Sequence, residues 1–203
     1  MPIGPQQTSG KAIASLVCGI VNIFPLFIIA VVLGHISLSE IKKSGGRLKG
    51  EGMAIAGLVM GYLGIVAIPI ILIIAAIAIP NLLRAKIAAN ESSAVGSVRN
   101  LITAEVSYQA MNESAGFTCN LANLSDLIDS QLAAGQKTGY VFALQNCSSE
   151  VVSGPVTKFQ ITAVPAVHNS SGRRAFCADE SNVIRQDSTG SAESCLRQGL
   201  ALE

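Results

Sequence analysis

Ile71-Leu72-Ile73-Ile74-Ala75-Ala76-Ile77-Ala78-Ile79-Pro80-Asn81-Leu82-Leu83-Arg84-Ala85-Lys86-Ile87-Ala88-Ala89-Asn90-Glu91-Ser92-Ser93-Ala94-Val95-Gly96-Ser97-Val98-Arg99 is the stretch on which the fold turns. Up to Leu83 it carries no charge, and from Arg84 its character changes. Ala94, Val95, Val98, Leu101, Ile102 and Val106 then recur at three- and four-residue spacing, with Asn90, Ser97, Arg99 and Asn100 elsewhere. That period describes an amphipathic helix with one buried stripe. The two parts together predict one helix, apolar all round in its first half and amphipathic in its second, ending within residues 112–116. Pro69 and Pro80 lack the N–H and crowd the preceding turn, which predicts bends at both.

Working toward the N-terminus, residues 52–83 are 32 positions without a charge, and residues 12–33 are a further 22. About 20 apolar residues cross a hydrocarbon core of roughly 30 Å, so each stretch is read as one span. Residues 35–51 between them read as a polar loop. It holds Lys42, Lys43, Arg47 and Lys49, against Lys11, Arg84 and Lys86 beyond the spans. The basic bias therefore puts the loop in the cytoplasm and both chain ends outside. The first stretch is too long for the apolar region of a removable signal peptide. Asn22 and Pro25 are its only oddities. Residues 12–19 (AIASLVCG) echo residues 54–61 (AIAGLVMG), so Ser15 with Gly19, and Gly57 with Gly61, place small residues four apart. Lipid supplies no hydrophobic drive for helix pairing, so such residues mark close helix contact.

Composition sets the outer bounds. Of 203 residues, 50% are hydrophobic, 4% aromatic and 13% charged, against about 25% charged in an ordinary soluble domain. Residues 1–83 carry five basic and two acidic residues, and residues 84–203 carry nine and eleven. That excludes a disordered polyelectrolyte, a nucleic-acid binder driven by bulk charge, and a purely soluble protein. The expected organisation is a short tail (1–11), a two-helix membrane domain (12–64) and an outer region (65–203), the last comprising a helix to about residue 115 and a globular head from 116.

The head reads as small α+β elements. Ser125 is a fitting N-cap for a short helix with Leu127, Ile128 and Leu132 inward, stopped at Gly135. Tyr140, Phe142 and Leu144 alternate along one strand, and Phe159, Ile161 and Ala163 along the next. Residues 174–178 and 183–185 flank a turn at 179–182. The fold class is thus an α+β membrane protein, a transmembrane hairpin whose second helix runs on to pack against a small antiparallel sheet.

Two resemblances attach to these residues. Gly10-Lys11-Ala12-Ile13-Ala14-Ser15-Leu16, Val32-Leu33-Gly34-His35-Ile36-Ser37-Leu38-Ser39-Glu40-Ile41-Lys42 and the run from Gly50 to Tyr62 resemble a bacterial two-helix membrane domain of unknown function. It implies a topology and no activity. Residues 71–99, continuing through Thr103-Ala104-Glu105-Val106-Ser107-Tyr108, resemble type IV pilins and the pseudopilins of type II secretion. Gly139-Tyr140-Val141-Phe142 and Phe176-Cys177-Ala178-Asp179 resemble their globular heads. Four cysteines in the outer half suit an oxidising exterior and allow three pairings. Cys119–Cys147 and Cys177–Cys195 each close a local loop, and the second resembles the C-terminal disulfide loop of pilins. Cys18 reads as a packing residue.

The pilin processing signal is missing. An ungapped register from Pro80 puts Leu58 where the cleavage glycine belongs and Leu63 where the filament glutamate belongs; Gly52-Met53 is followed by no acid. The resemblance therefore implies a non-catalytic, uncleaved inner-membrane protein with its head outside, a component of a type IV pilus or type II secretion-like system. The alternative is a genuine filament subunit with an atypical leader. Implied partners are the lipid bilayer, other pilin-like or secretion-system membrane proteins, and further copies in an oligomer or filament; no nucleic acid and no cofactor is expected. Enzymatic motifs are weak. Ser39-Glu40-Ile41-Lys42 fits S-x-x-K without partner motifs. Gly45-Gly46-Arg47-Leu48-Lys49-Gly50 lacks a phosphate-loop ending. Asp126 and Asp129 read as a solvated face, Arg173-Arg174 as a strand-end charge pair, and His35 as an interfacial residue. No metal site is expected, since the cysteine spacings are far from CxxC and His168 stands alone.

Overall fold

A computed structural model describes residues 7–21, 26–152 and 154–202, and divides the chain into two compact units between Ile79 and Pro80. The boundary expected at 64/65 and the division between these units both fall within one helix, α3 (Glu51–Met111).

In the first unit, β1 (Gln7–Thr8) pairs parallel with β2 (Leu48–Lys49), and the Ser9 N–H donates to the Lys49 carbonyl at 2.9 Å. Helix α1 (Gly10–Val21) leads to α2 (Leu26–Lys43), which runs antiparallel to it. Ser15 Oγ donates to the Ala30 carbonyl at 2.9 Å, Ser9 and Ser37 hydroxyls meet at 3.4 Å, and Lys11 pairs with Glu40. This corrects the expected single span over 12–33. At about 1.5 Å per residue, α1 is about 18 Å long, too short for a hydrocarbon core of roughly 30 Å. The uncharged composition continued through a reversal of the chain. Asn22 and Pro25 lie outside the described residues.

The expected loop 35–51 is helical through Lys43, and Lys42 and Lys43 sit in the last turn of α2, where cations complement the helix dipole. The turn itself is short. The Ser44 hydroxyl donates to the Ile41 carbonyl and accepts from the Leu48 N–H, and Gly45, Gly46 and Gly50 take positive φ of 60°, 90° and 120°. Because β1 pairs with β2, residues 7–9 lie at the same end of this unit as residues 48–50. The expectation that the N-terminal end lies opposite the loop is corrected accordingly.

Over residues 65–83, α3 is largely exposed and apolar. Ile70, Ile71, Leu72, Ile73, Ile74, Ile77, Ile79 and Leu82 are each 54–73% exposed, and α3 is the one described helix long and apolar enough to cross a membrane. Pro69 and Pro80 both lie within it. Each removes the N–H that would bond four residues back, to the carbonyls of Ile65 and Ala76.

In the second unit, the last turns of α3 are followed by a 3-10 turn (Leu121–Leu124), α4 (Ser130–Ala133), and strands β3 (Gln136–Lys137), β4 (Tyr140–Ser148), β5 (Lys158–Pro165), β6 (Ala175–Asp179) and β7 (Arg185–Asp187), then α5 (Ala192–Gln198) and β8 (Leu200–Ala201). The strands form one antiparallel meander in the order β3-β4-β5-β6-β7-β8, with Phe142 opposite Ala163, and Ala163 opposite Phe176. Ala94, Val98, Leu101 and Ala104 from α3 meet Leu124, Leu132, Tyr140, Phe142, Phe159, Ile161, Ala163 and Phe176 in one core. Val106, expected inward, is 46% exposed.

Ser125 is not an N-cap. It ends the 3-10 turn that Asn120 opens, and Asp129 caps α4 by accepting from the Leu132 N–H at 3.1 Å. The second strand of the 179–182 hairpin starts at Arg185 rather than Val183. Asn182 takes φ 61° there, with its N–H bonded to the Asp179 carbonyl at 3.0 Å.

Candidate functional site

Within α3 in the second unit, positions 87, 91, 94, 98, 101 and 105 step by four and three and keep one face toward the sheet, with Ser97 and Ala104 buried beside that line. Two of these six are glutamates. Glu91 is 6% exposed and Glu105 is fully buried. Burying a carboxylate is costly unless it is paired and hydrogen-bonded, so the surroundings of each decide its state.

Glu91 is fully engaged. Its Oε1 accepts the N–H groups of Arg173 (2.9 Å) and Arg174 (3.1 Å), and its Oε2 accepts Nε (2.8 Å) and Nη2 (2.7 Å) of Arg174. Burial pushes this carboxyl up, but the Arg173 N–H and the Arg174 guanidinium and N–H outweigh it and hold the group below the ordinary value. Arg174 also donates from Nη1 to Gln186 Oε1 (2.6 Å), and its guanidinium lies 5.5 Å from the centre of the Phe176 ring. The Tyr140 hydroxyl donates to the Arg174 carbonyl at 2.8 Å, and burial raises the Tyr140 phenol above its ordinary value. Gly172 makes this approach feasible, since a Cβ there would lie 2.1 Å from the Tyr140 hydroxyl. Asn90 adds a bond from Nδ2 to the Ser171 carbonyl at 2.8 Å. The segment before β6 is thereby clamped to α3. Beside the clamp lies a cavity of about 320 Å³, lined by Arg84, Ile87, Ala88, Glu91, Arg173, Arg174 and Ser188.

Glu105 is held differently. Oε2 accepts the Thr118 N–H at 3.0 Å, while Oε1 has no partner among the described residues. Burial pushes this carboxyl up to about 7, against the opposing effect of the Thr118 N–H. Cys119, next in the chain, pairs with Cys147 across 28 residues, and Cys177 pairs with Cys195 across 18, both with Cα atoms 6.0 Å apart. The second bridge ties β6 to α5. Cys18 is unpaired and half-buried in α1.

The small residues of the first unit sit at helix contacts. A Cβ on Gly57 would lie 2.3 Å from Ser15 Oγ, and one on Gly19 would lie 3.1 Å from the Gly57 carbonyl oxygen. Gly61 faces α2 instead, 2.7 Å from a methyl of Val31, and Gly34 faces Leu58 at 2.6 Å by the same construction. The two glycines of the second copy of the echo therefore make different contacts: Gly57 meets α1 and Gly61 meets α2.

The other residues weighed from sequence do not converge. Asp129 caps α4 and pairs with Lys137 at 2.7 Å, which holds its carboxyl below the ordinary value. His35 Nδ1 lies 3.0 Å from the Val31 carbonyl, and its ring meets Tyr62 edge-on. Among the described residues, no three His, Cys, Asp or Glu side chains are grouped to hold a metal ion. Sequence reasoning paired Arg173 with Arg174 as a strand-end feature and missed Glu91. The available signal was an acid in register with Ile87, Ala94 and Val98 on an otherwise apolar stripe.

The pilin and pseudopilin families give no match. No curated protein and no solved structure matches the chain. Residues 11–79, which take in all of α1 but Gly10, all of α2 and the start of α3, match the family described as Domain of unknown function (DUF4190).

Proposed function

We propose that this is a non-catalytic, membrane-anchored, pilin-like protein that displays its second unit outside the cytoplasm, as a structural or interaction component of a type IV pilus or type II secretion-like system. The observation that carries the reading is α3 itself. One helix supplies bare apolar residues over 62–83 and, further on, the buried stripe beneath an antiparallel sheet whose C-terminal segment is closed by Cys177–Cys195.

The arrangement of the first unit strengthens the sidedness argument. With residues 7–9 beside 48–50, Lys11 joins Lys42, Lys43, Arg47 and Lys49 at one end, against Arg84 and Lys86 past the apolar stretch. Five against two favours that end as the cytoplasmic one. The absent cleavage glycine and filament glutamate support an uncleaved chain, and the helices α1 and α2 packed beside the start of α3 would obstruct ordinary helical packing of subunits.

Intact mass and N-terminal sequencing of the protein from native membranes test the reading. A chain that retains α1 and α2 supports it. A chain beginning near Met53 or Val59 overturns it, and recovery of that shorter form in sheared surface fibres would identify a filament subunit.

A further inference from the structure

We propose that the cavity beside the Glu91 clamp binds a phosphate-bearing anion, with the headgroup of an anionic lipid as its occupant when α3 is in a bilayer. Arg84, Ile87, Ala88 and Glu91 are spaced i, i+3, i+4 and i+7, so they form one wall on a single face of α3, and Arg173, Arg174 and Ser188 form the other. The charges do not cancel. Both carboxylate oxygens of Glu91 are taken up by Arg174 and two backbone N–H groups, and Arg174 spends Nε, Nη1 and Nη2 on Glu91 and Gln186. That pair is internally neutral. Arg84 and Arg173 remain, both exposed and neither with an ion-pair partner among the described residues. Glu91 is the one carboxylate among the described lining residues.

Arg84 and Arg173, whose guanidiniums have no ion-pair partner among the described residues, thus line a space of about 320 Å³, at the small end of ligand cavities. Its floor is apolar, with Ile87 only 6% exposed. Guanidinium forks match phosphate oxygens in geometry and charge, which makes this chemistry the natural complement of the site. The location points to a lipid source. Arg84 directly follows Leu82 and Leu83 on α3, which are 73% and 42% exposed, so the cavity opens where an apolar stretch gives way to charge. That is the level at which anionic headgroups attract basic side chains. The lipid assignment rests on the anchoring proposed above; the phosphate assignment does not.

The test uses the full chain in detergent micelles. Native mass spectrometry with equimolar phosphatidylglycerol and phosphatidylcholine measures lipid preference, and calorimetric titration with inorganic phosphate measures anion binding without lipid. Each arginine is expected to contribute about fivefold, so R84Q/R173Q should lower phosphatidylglycerol retention by roughly 25-fold. Arg99→Gln removes the same charge from the same helix outside the cavity and should change retention by less than about twofold. Thermal unfolding of each variant confirms that the head is intact. Phosphatidylglycerol preference lost in the double variant supports the lipid headgroup. Saturable inorganic phosphate binding, lost in the double variant and without lipid preference, keeps the phosphate site and overturns the lipid source. Equal retention of both lipids with no phosphate binding, or an effect of R99Q equal to that of R84Q/R173Q, overturns the site. Should alkaline extraction release the chain from membranes while phosphate still binds, the anchoring fails and the phosphate site stands.

Discussion

Replacing Glu105 with glutamine isolates the energetic effect of one buried acid. Burial carries this carboxyl from 4.5 to about 7 in the folded chain. Between those values the folded protein keeps a proton that the unfolded chain has released, so the folded-state pKa is the raised one. Its contribution to stability is fully present below about pH 4.5, drains as pH rises, and is gone above about 7. At about 1.4 kcal/mol per pH unit, the loss across that window is about 3 kcal/mol. Glutamine retains an acceptor for the Thr118 N–H but never ionises. Its amide also leaves donors where Oε1 has no partner, at an unvarying cost of about 1–3 kcal/mol. The diagnostic is therefore the difference in pH dependence and not the stability at one pH. Urea unfolding of the full chain in detergent, followed by tyrosine near-ultraviolet circular dichroism from pH 4 to pH 8, should show wild type losing about 3 kcal/mol more than E105Q. Parallel profiles, within about 1 kcal/mol at every pH, would refute the reasoning and show that Glu105 is solvated or differently partnered.

Other perturbations test the packing. Gly172→Ala drives a Cβ to within 2.1 Å of the Tyr140 hydroxyl, and because Tyr140 is 1% exposed it has nowhere to retreat. A loss of about 1–3 kcal/mol should appear as a lowered thermal midpoint. Gly57→Val meets Ser15 Oγ at 2.3 Å and the Ser15 carbonyl carbon at 2.7 Å, so α1 must shift off α3. Amide hydrogen exchange over residues 12–20 should accelerate while exchange in the head is unchanged. Replacing Cys177 and Cys195 by serine should lower the head's stability by about 3 kcal/mol in the same urea assay, since the bridge closes a loop of 18 residues.

Much of the head was legible because its elements obey simple periods. Tyr140, Phe142, Phe159 and Ile161 alternate, and the strands that contain them bury those side chains as alternation requires. The second half of α3 was legible for the same reason, with an error at one edge of the stripe. The inward line continues to Glu105 rather than Val106, because helical geometry fixes the face and a carboxyl at that register is buried with its neighbours. Composition misled in the first unit. An uncharged run specifies that a segment is apolar, but not whether it continues straight or doubles back. The evidence against a straight span lay in Ser15, whose hydroxyl finds the Ala30 carbonyl only across a helix pair. The clamp around Glu91 was illegible for another reason. Two of its partners are backbone N–H groups 82 and 83 residues away, beside the Arg174 guanidinium, and nothing in the side-chain sequence announces where a backbone donor will fall.

The meander ends on both sides in strands of two residues, β3 at Gln136–Lys137 and β8 at Leu200–Ala201, while β4 and β5 inside it run for nine and eight. A strand that short offers an incoming chain only one or two backbone bonds, and Lys137 sets a charge on one margin. Short terminal strands and a charge at the margin are devices by which open sheets limit edge-to-edge growth. A partner that reads side chains on the surface of this head, and not its strand edges, would have a specificity that can be altered one residue at a time without rebuilding the backbone beneath.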